Sequence, residues 1–214
     1  MNAVRILFLI LCGCLVSVAW GQQLACTKYT FWAQFHNRNM ERWNPCEKAL
    51  KVQNVGSMVS KWSSTFGGGP SSPVVANGVV YVGSLNDNVY ALRASTGALL
   101  WSYTTGNEVW SSPAIANGVV YIGSTDGNVY ALKASTGAKL WTYSTNGSVY
   151  SSPAVVDGVV YVSSADYNLY ALNASSGAKL WTYSTGVPVK SSPAVANGVV
   201  YFGSLNDNVY ALER

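Results

Sequence analysis

Short apolar blocks alternate with polar turns along residues 71–214, and this pattern repeats every 40 residues. The copies begin at Ser71, Ser111, Ser151 and Ser191 and follow one another without insertions, and the fourth stops at Arg214. A fixed period of this length is typical of propeller blades or solenoid units. The apolar blocks are rich in valine, tyrosine and threonine, which favours strands over the helices of a solenoid.

A single repeat predicts four antiparallel strands connected as a meander. In the first copy they fall at residues 74–75, 79–82, 89–92 and 99–103, and Asn77-Gly78 carries the type I′ hairpin signal. The inner strands are apolar at consecutive positions, which predicts burial on both faces, as between packed blades. We therefore predict an all-β fold, a β-propeller of four-stranded antiparallel blades.

One tryptophan recurs at the same place in the outer strand of each complete repeat. These residues are Trp101, Trp141 and Trp181, and Trp62 occupies the equivalent place before the first repeat. Burying an indole removes roughly 150–250 Å² from water, which is worth about 4–6 kcal/mol as an upper bound. We predict that these four side chains dock one blade against the next.

Residues 58–65 are similar to the last strand of a blade, which the fourth repeat lacks before Arg214. Pairing this N-terminal segment with the last blade would remove an exposed sheet edge and close a ring of four blades. The alternative is that each chain forms half of an eight-bladed ring made by two chains. The sequence therefore predicts a monomer or a homodimer.

The segment from Ala91 to Trp101 resembles the tryptophan-docking motif Ala-x-Asp-x-x-Thr-Gly-x-x-x-Trp of quinoprotein-type propellers. It recurs at residues 131–141 and 171–181, with Arg93, Lys133 and Asn173 in place of the motif's aspartate. The chain is thereby identified as similar to the PQQ-like repeat superfamily, which includes quinoprotein dehydrogenases and outer-membrane assembly lipoproteins. Rings of more than four blades are usual in that superfamily.

The N-terminal residues predict export. Residues 1–21 carry one positive charge, an apolar run and small residues before Gln22, which is typical of a cleaved signal peptide, with an uncleaved membrane anchor as the alternative. Residues 22–57 form a leader that we expect to cap the propeller of residues 58–214. In an exported chain, the pair Cys26 and Cys46 predicts a disulfide. The expected location is secreted or periplasmic.

Charge and candidate chemistry restrict the function. Thirteen basic and nine acidic residues are scattered along the chain, so we expect no nucleic-acid partner. His36 is the only histidine, and it has no accompanying catalytic or metal-binding constellation. Four acids fall in the turn between the second and third strands of a blade, where aspartate commonly bonds its own backbone: Asp87, Asp126, Asp166 and Asp207.

A non-catalytic scaffold is therefore the favoured function, with no cofactor, no metal site and no catalytic residue. The alternative is a degenerate quinoprotein dehydrogenase domain, which would bind PQQ with calcium. The resemblance implies a vicinal disulfide beside the quinone in such enzymes, and this chain has no Cys-Cys pair.

The loops that join consecutive blades differ most between the copies. Trp110, Tyr150 and Lys190 share one repeat position, and Glu108 precedes the first of them. These loops should gather on one face near the axis, together with the aspartate-bearing turns. We predict that this face binds a protein, a peptide or a glycan.

Overall fold

The computed structural model of the protein describes residues 49–213. The predicted signal peptide, residues 22–48 of the leader and the cysteine pair Cys26 and Cys46 lie outside the described residues. A short 3-10 helix, Val55–Ser57, precedes the first blade. No helix within the described part of the chain is long and apolar enough to cross a membrane.

The repeats form four antiparallel sheets, as the sequence predicts. Three have four strands and the fourth has three. The strands are β1 (Val74–Ala76), β2 (Val79–Gly83), β3 (Asn88–Arg93), β4 (Leu99–Thr104), β5 (Ala114–Ala116), β6 (Val119–Gly123), β7 (Asn128–Lys133), β8 (Lys139–Ser144), β9 (Ala154–Val156), β10 (Val159–Ser163), β11 (Asn168–Asn173), β12 (Lys179–Ser184), β13 (Ala194–Ala196), β14 (Val199–Gly203) and β15 (Val209–Leu212).

Local turn chemistry sets the register within each blade. The first two strands pair through a two-residue hairpin, with Ala76 opposite Val79 in the first blade. Both residues of that turn have positive φ, 50° at Asn77 and 76° at Gly78, as a type I′ turn requires. The outer strand of each complete blade carries one irregularity in its register, which in the first blade lies between Ala91 and Leu92.

The hydrophobic core lies between blades, so the second and third blades each contribute both of their faces. Between the first and second blades, Val89 and Val109 pack in one cluster with Ile122 and Leu132. Equivalent clusters lie between the second and third and between the third and fourth blades. Because a blade has no core of its own, its stability depends on its neighbours.

Two of the three outer-strand tryptophans, Trp101 and Trp141, dock on the following blade. The predicted docking of Trp181 is not formed among the described residues, since Trp181 is 42% exposed and stacks on Tyr183 of its own strand. The Trp101 indole Nε1 donates to the Ala134 carbonyl at 2.9 Å, and Trp141 donates to Ala174 at 2.9 Å. The ring of Trp101 lies over Gly137, where an added Cβ would come within 2.7 Å of the ring. The turn that accepts each indole therefore requires glycine both for this close approach and for its φ of +74°.

Trp62 docks on the first blade in the same way, with its Nε1 3.0 Å from the Ala94 carbonyl. Phe66 stacks on Tyr90 at a centroid distance of 4.5 Å. It corresponds to the contact of Tyr103 with Tyr130 at the joint between the first and second blades, where a joint is the packing surface between two successive blades.

The predicted pairing of residues 58–65 with the last blade is not formed. The segment contains no strand, and β15 pairs only with β14 among the described residues. The segment packs on the first blade instead, with Trp62 Nε1 donating to the Ala94 carbonyl and Ser64 Oγ to the Gly97 carbonyl, while Val209 of the fourth blade is 82% exposed. The fourth blade therefore does not reach the segment that caps the first.

The first serine of each Ser-Ser-Pro sequence ties the linker to its own blade. Ser151 Oγ accepts from the Ser163 amide at 2.9 Å and donates to the Ser163 carbonyl at 2.8 Å. The other three blades have glycine at the position of Ser163, namely Gly83, Gly123 and Gly203. Ser163 Oγ is buried and has no hydrogen-bond partner among the described residues.

Gly137→Ala tests the close approach of the indole. An added Cβ at Gly137 meets Trp101, whereas Gly118, with φ of +76°, has nothing within 4 Å. Gly118→Ala should cost about 1–2 kcal/mol for the left-handed backbone alone, and Gly137→Ala about 2 kcal/mol more for the clash. Urea unfolding of both variants measures the difference, and equal losses would contradict the docking geometry.

Ser163→Ala should stabilise the protein by about 1 kcal/mol, because it removes a buried hydroxyl that has no partner. Ser151→Ala is the matched control at the other end of the same contact. It should destabilise, since Ser151 Oγ makes two hydrogen bonds to Ser163. The midpoints of urea unfolding decide the sign, and destabilisation by Ser163→Ala would show that the hydroxyl has a bonding partner.

Candidate interaction face

One face of the propeller collects the turns between second and third strands and the linkers between blades. We call it the loop face, and it comprises residues 84–87, 105–110, 124–127, 145–150, 164–167, 185–190 and 204–207. Linkers bond to the turns on both sides: the Val109 amide donates to the Ser84 carbonyl at 3.0 Å, and the Thr125 amide donates to the Glu108 carbonyl at 2.9 Å. The predicted gathering of loops and aspartate turns on one face is therefore present, and backbone hydrogen bonds hold it in place.

The turn carboxylates hold this face together. Asp126 accepts hydrogen bonds from the Tyr130 hydroxyl at 2.5 Å, from the Gly106 amide at 2.7 Å and from the Asn128 amide at 2.8 Å. One carboxylate thus joins its own turn to the linker that precedes its blade. A group with three donors around it is a positioning element and has little capacity left for a ligand.

The third blade repeats this arrangement. Asp166 accepts from the Tyr170 hydroxyl at 2.6 Å and from the Asn146 amide at 2.9 Å. In the first and fourth blades asparagine replaces the aspartate, and the amides of Asn86 and Asn206 donate to the hydroxyls of Tyr90 and Tyr210. Sequence reasoning assigned these turn residues to local backbone bonds and missed the tyrosine four positions later, although every repeat contains that pair.

In the second and third blades the tyrosines of these pairs, Tyr130 and Tyr170, are buried and hydrogen-bonded to aspartate, and both effects raise their pKa. Burial raises the pKa of Tyr130 and of Tyr170 above the ordinary value of 10.0, and the hydrogen bond to the aspartate raises each further. Burial also raises the pKa of Tyr81 and of Tyr121. The folded protein therefore holds these phenolic protons more tightly than the unfolded chain does.

The four predicted rim residues form two contacts on the loop face. The Trp110 indole Nε1 donates to Glu108 Oε2 at 2.8 Å, and 52% of the Trp110 side chain remains exposed. Lys190 Nζ lies 4.8 Å from the centre of the Tyr150 ring, within the range of a cation–π contact. The rim therefore presents one aromatic surface beside a carboxylate and another beside an ammonium group.

A cavity of about 360 Å³ opens near the axis beside Trp110. The second serine of every Ser-Ser-Pro sequence lines it: Ser72, Ser112, Ser152 and Ser192. The Ser112 amide donates to Ser152 Oγ at 2.9 Å, and the Ser152 amide donates to Ser192 Oγ at 2.9 Å. A hydroxyl oxygen that accepts an amide proton keeps its own proton, so these serines retain donors for a ligand.

Sequence reasoning missed these axial serines because their convergence depends on how the blades are arranged around the axis. The available signal was the recurrence of Ser-Ser-Pro directly before every inner strand, which is the strand nearest the axis in a propeller. Leu85 and Val109 add apolar surface to the same cavity. The lining therefore suits a ligand with both apolar and hydrogen-bond-accepting groups.

The lining does not fit PQQ with calcium. That pair requires carboxylate and other oxygen ligands for the metal together with basic groups around the quinone. The cavity is lined by serines, glycine, proline and apolar side chains, with no carboxylate among them. On the loop face, the carboxylates Asp126 and Asp166 are bonded to tyrosine and linker amides. Across residues 49–213, no three histidine, cysteine, aspartate or glutamate side chains converge on one point.

Comparison with known proteins agrees with the repeat and the blade geometry. The family model described as outer membrane protein assembly factor BamB matches residues 30–150 and 105–214, which together cover most of the chain. The chain belongs to the PQQ-like repeat β-propeller family. The resemblance predicted from the docking motif is thereby confirmed.

Relatives in this family include both enzymes and an assembly factor. Quinoprotein alcohol dehydrogenase PedE of Pseudomonas putida is 39% identical over 70 residues, which cover 30% of this chain and 11% of PedE. BamB from Moraxella catarrhalis superposes with a TM-score of 0.58 at 24% identity, over 64% of this chain and 43% of that one.

The quinohemoprotein alcohol dehydrogenase ADHIIG of Pseudomonas putida HK5 superposes with a TM-score of 0.72 at 22% identity, over 82% of this chain and 34% of that one. This chain therefore spans about a tenth of the length of PedE and less than half of either solved chain. At these identities the solved structures establish the shared fold.

The acidity of the tyrosines predicts a loss of stability in alkaline solution. Because the folded pKa of Tyr130 and Tyr170 lies above the unfolded value of 10.0, their contribution is complete below pH 10. It falls as the pH rises from 10 through the folded pKa, by up to about 1.4 kcal/mol per pH unit and tyrosine. Urea unfolding between pH 8 and 11.5 should show this decline.

The double variant Tyr130→Phe, Tyr170→Phe should lose less stability per pH unit above pH 10, although it starts lower at neutral pH because two hydrogen bonds are missing. Tyr167→Phe is the control, since Tyr167 is an exposed tyrosine in the turn of the third blade. An identical alkaline decline in the parent and the double variant would contradict the assignment.

Proposed function

We propose that this chain is an exported, non-catalytic PQQ-like propeller that acts as an interaction scaffold and binds a polypeptide segment on the loop face. The observation that carries the proposal is the contrast between Trp110 and the turn carboxylates. Trp110 lines the axial cavity and is half exposed, while Asp126 and Asp166 accept structural hydrogen bonds from tyrosine and linker amides.

The chemistry of the face suits an extended peptide. Aromatic surface at Trp110 and Tyr150 can bury apolar side chains, and the hydroxyls of Ser112, Ser152 and Ser192 can donate to backbone carbonyls. Glu108 and Lys190 add one charge of each sign at the rim. The family description, an outer membrane protein assembly factor, supports a protein as the partner and an extracytoplasmic location.

A second candidate function is a degenerate quinoprotein dehydrogenase domain. The observation that favours it is the 39% identity to quinoprotein alcohol dehydrogenase PedE over 70 residues. Under this alternative, PQQ with calcium would bind near the axis. The cavity lining argues against it, because its residues supply hydroxyls where the cofactor requires carboxylate and cationic groups.

Photo-crosslinking in the producing cell tests the scaffold proposal. A benzoylphenylalanine at position 110 samples the loop face, and one at Ser135, an exposed turn residue on the opposite face, is the control. We expect polypeptide adducts from position 110 and none from position 135. Trp110→Ala should abolish binding of the captured polypeptide while changing the unfolding free energy by less than about 1 kcal/mol.

Titration of the purified protein with PQQ and calcium, followed by a dye-linked alcohol oxidation assay, tests the alternative. The scaffold proposal predicts neither saturable binding nor turnover. Stoichiometric PQQ binding with turnover, or equal crosslinking from both faces, would overturn the proposal.

A further inference from the structure

The fourth blade has an apolar face that the other blades bury against their successors. Tyr81, Val89 and Ala91 of the first blade are buried by the second, as are their counterparts at the next joint. The equivalent residues of the fourth blade are open: Tyr201 is 40% exposed, Val209 is 82% exposed, and Ala211 is exposed. The opposite face of this blade packs on the third blade through Val200 and Phe202.

The first blade has a complementary hydrogen-bond acceptor, the Ala94 carbonyl in the turn between its third and fourth strands. The equivalent carbonyls of the next two blades show what it could accept. The Ala134 carbonyl accepts from both the Trp101 indole at 2.9 Å and the Tyr81 hydroxyl at 3.1 Å. The Ala174 carbonyl likewise accepts from Trp141 and from Tyr121. The Ala94 carbonyl accepts from Trp62, but among the described residues no tyrosine hydroxyl reaches it.

Tyr201 is the residue that corresponds to Tyr81 and Tyr121 in the fourth blade. Among the described residues, one side of the open joint thus has an exposed tyrosine without the acceptor that its counterparts use. The other side has that acceptor with only one of its two donors. A blade that packed against the first blade with the geometry of the other joints would bring the tyrosine and the acceptor together.

The backbone shows the same complementarity. In the complete blades the outer-strand tryptophan lies opposite an alanine of the third strand, Ala91 opposite Trp101 and Ala131 opposite Trp141. Ala211 of β15 holds that alanine position in the fourth blade, and β15 has a strand neighbour on one side only among the described residues. An outer strand added beside β15 in this register would place a tryptophan opposite Ala211. Trp62, which packs on the first blade, can supply that tryptophan.

We infer that a second copy of this chain occupies the open joint, with its residues 58–65 as the outer strand of the fourth blade. In this arrangement Trp62 of one copy lies opposite Ala211 of the other, and Tyr201 donates to the Ala94 carbonyl across the joint. The same contact repeats at the other end of each chain, so two copies form both joints at once and close a ring of eight blades.

A second copy fits better than closure within one chain. Within one chain, residues 58–65 leave the fourth blade uncovered: β15 has a strand neighbour on one side only among the described residues, and Val209 is 82% exposed. Within one chain, the fourth blade therefore stands away from the segment that it would need. Because all joints run in the same direction, both copies would present their loop faces on the same side of the ring, around one shared axial opening.

Light scattering of the purified chain over a range of concentrations tests the inference directly. We expect twice the mass of one chain for the parent protein. Val209→Asp introduces a charge into the joint and should give the mass of one chain. Leu140→Asp is the matched control, since Leu140 is an exposed apolar strand residue outside the joint, and it should leave the dimer intact.

Two milder variants test the inference even if Val209→Asp fails to fold. Tyr201→Phe removes only the hydroxyl proposed to cross the joint, and it should raise the dissociation constant of the dimer about tenfold, the effect of one lost hydrogen bond at each of two joints. Tyr121→Phe removes the equivalent bond inside one chain, and it should lower the urea midpoint without weakening the dimer.

A parent chain that has the mass of one chain at every concentration would overturn the inference. So would a dimer that withstands both Val209→Asp and Tyr201→Phe. Neither result bears on whether a polypeptide binds at Trp110, so the failure of this inference is distinguishable from the failure of the scaffold proposal.

Discussion

The contact on which this structure depends is the indole of one blade lying on the glycine turn of the next. It combines burial of a large ring with a hydrogen bond to a backbone carbonyl, at Trp62 on Ala94, Trp101 on Ala134 and Trp141 on Ala174. No blade has a core of its own, so these joints supply the tertiary stability that four short strands lack. The arrangement also makes the two ends of the array different from its middle. The first blade is capped by Trp62, whereas no other part of residues 49–213 covers the outer face of the fourth.

The elements within a blade could be predicted from the sequence because they depend on local chemistry. Asn77-Gly78 determines a hairpin whose two central residues need positive φ, and the consecutive apolar positions of the inner strands indicate burial on both faces.

Closure of the ring could not be predicted from local chemistry. It depends on the angle between successive blades, which is set by packing across every joint rather than by any single turn, and the predicted pairing of residues 58–65 with the last blade is absent.

The residues of the candidate site also differ in how far they could be predicted, depending on whether their partners are close in sequence. The rim residues Trp110, Tyr150 and Lys190 could be selected because they differ at one repeat position, and they lie on the loop face. The structural role of Asp126 could be anticipated only in part, since its partners are a tyrosine four residues later and a linker amide twenty residues earlier. The axial serines could not be recognised, because they become neighbours only when the blades are arranged around an axis.

The site residues differ in what they leave free for a ligand. The turn carboxylates that recur in the blades are occupied by hydrogen bonds within the fold. The linkers, which vary between copies, carry the exposed aromatic surface.

The exchange of the tryptophan indole protons, followed by ¹⁵N-resolved NMR in deuterated water, tests the docking contact most directly. Trp62, Trp101 and Trp141 donate to backbone carbonyls at the joints, whereas Trp110 donates to a surface glutamate and is half exposed. We predict slow exchange for the three docked indoles and rapid exchange for Trp110. Exchange of Trp62 as rapid as that of Trp110 would contradict the account, because the first blade would then lack its cap.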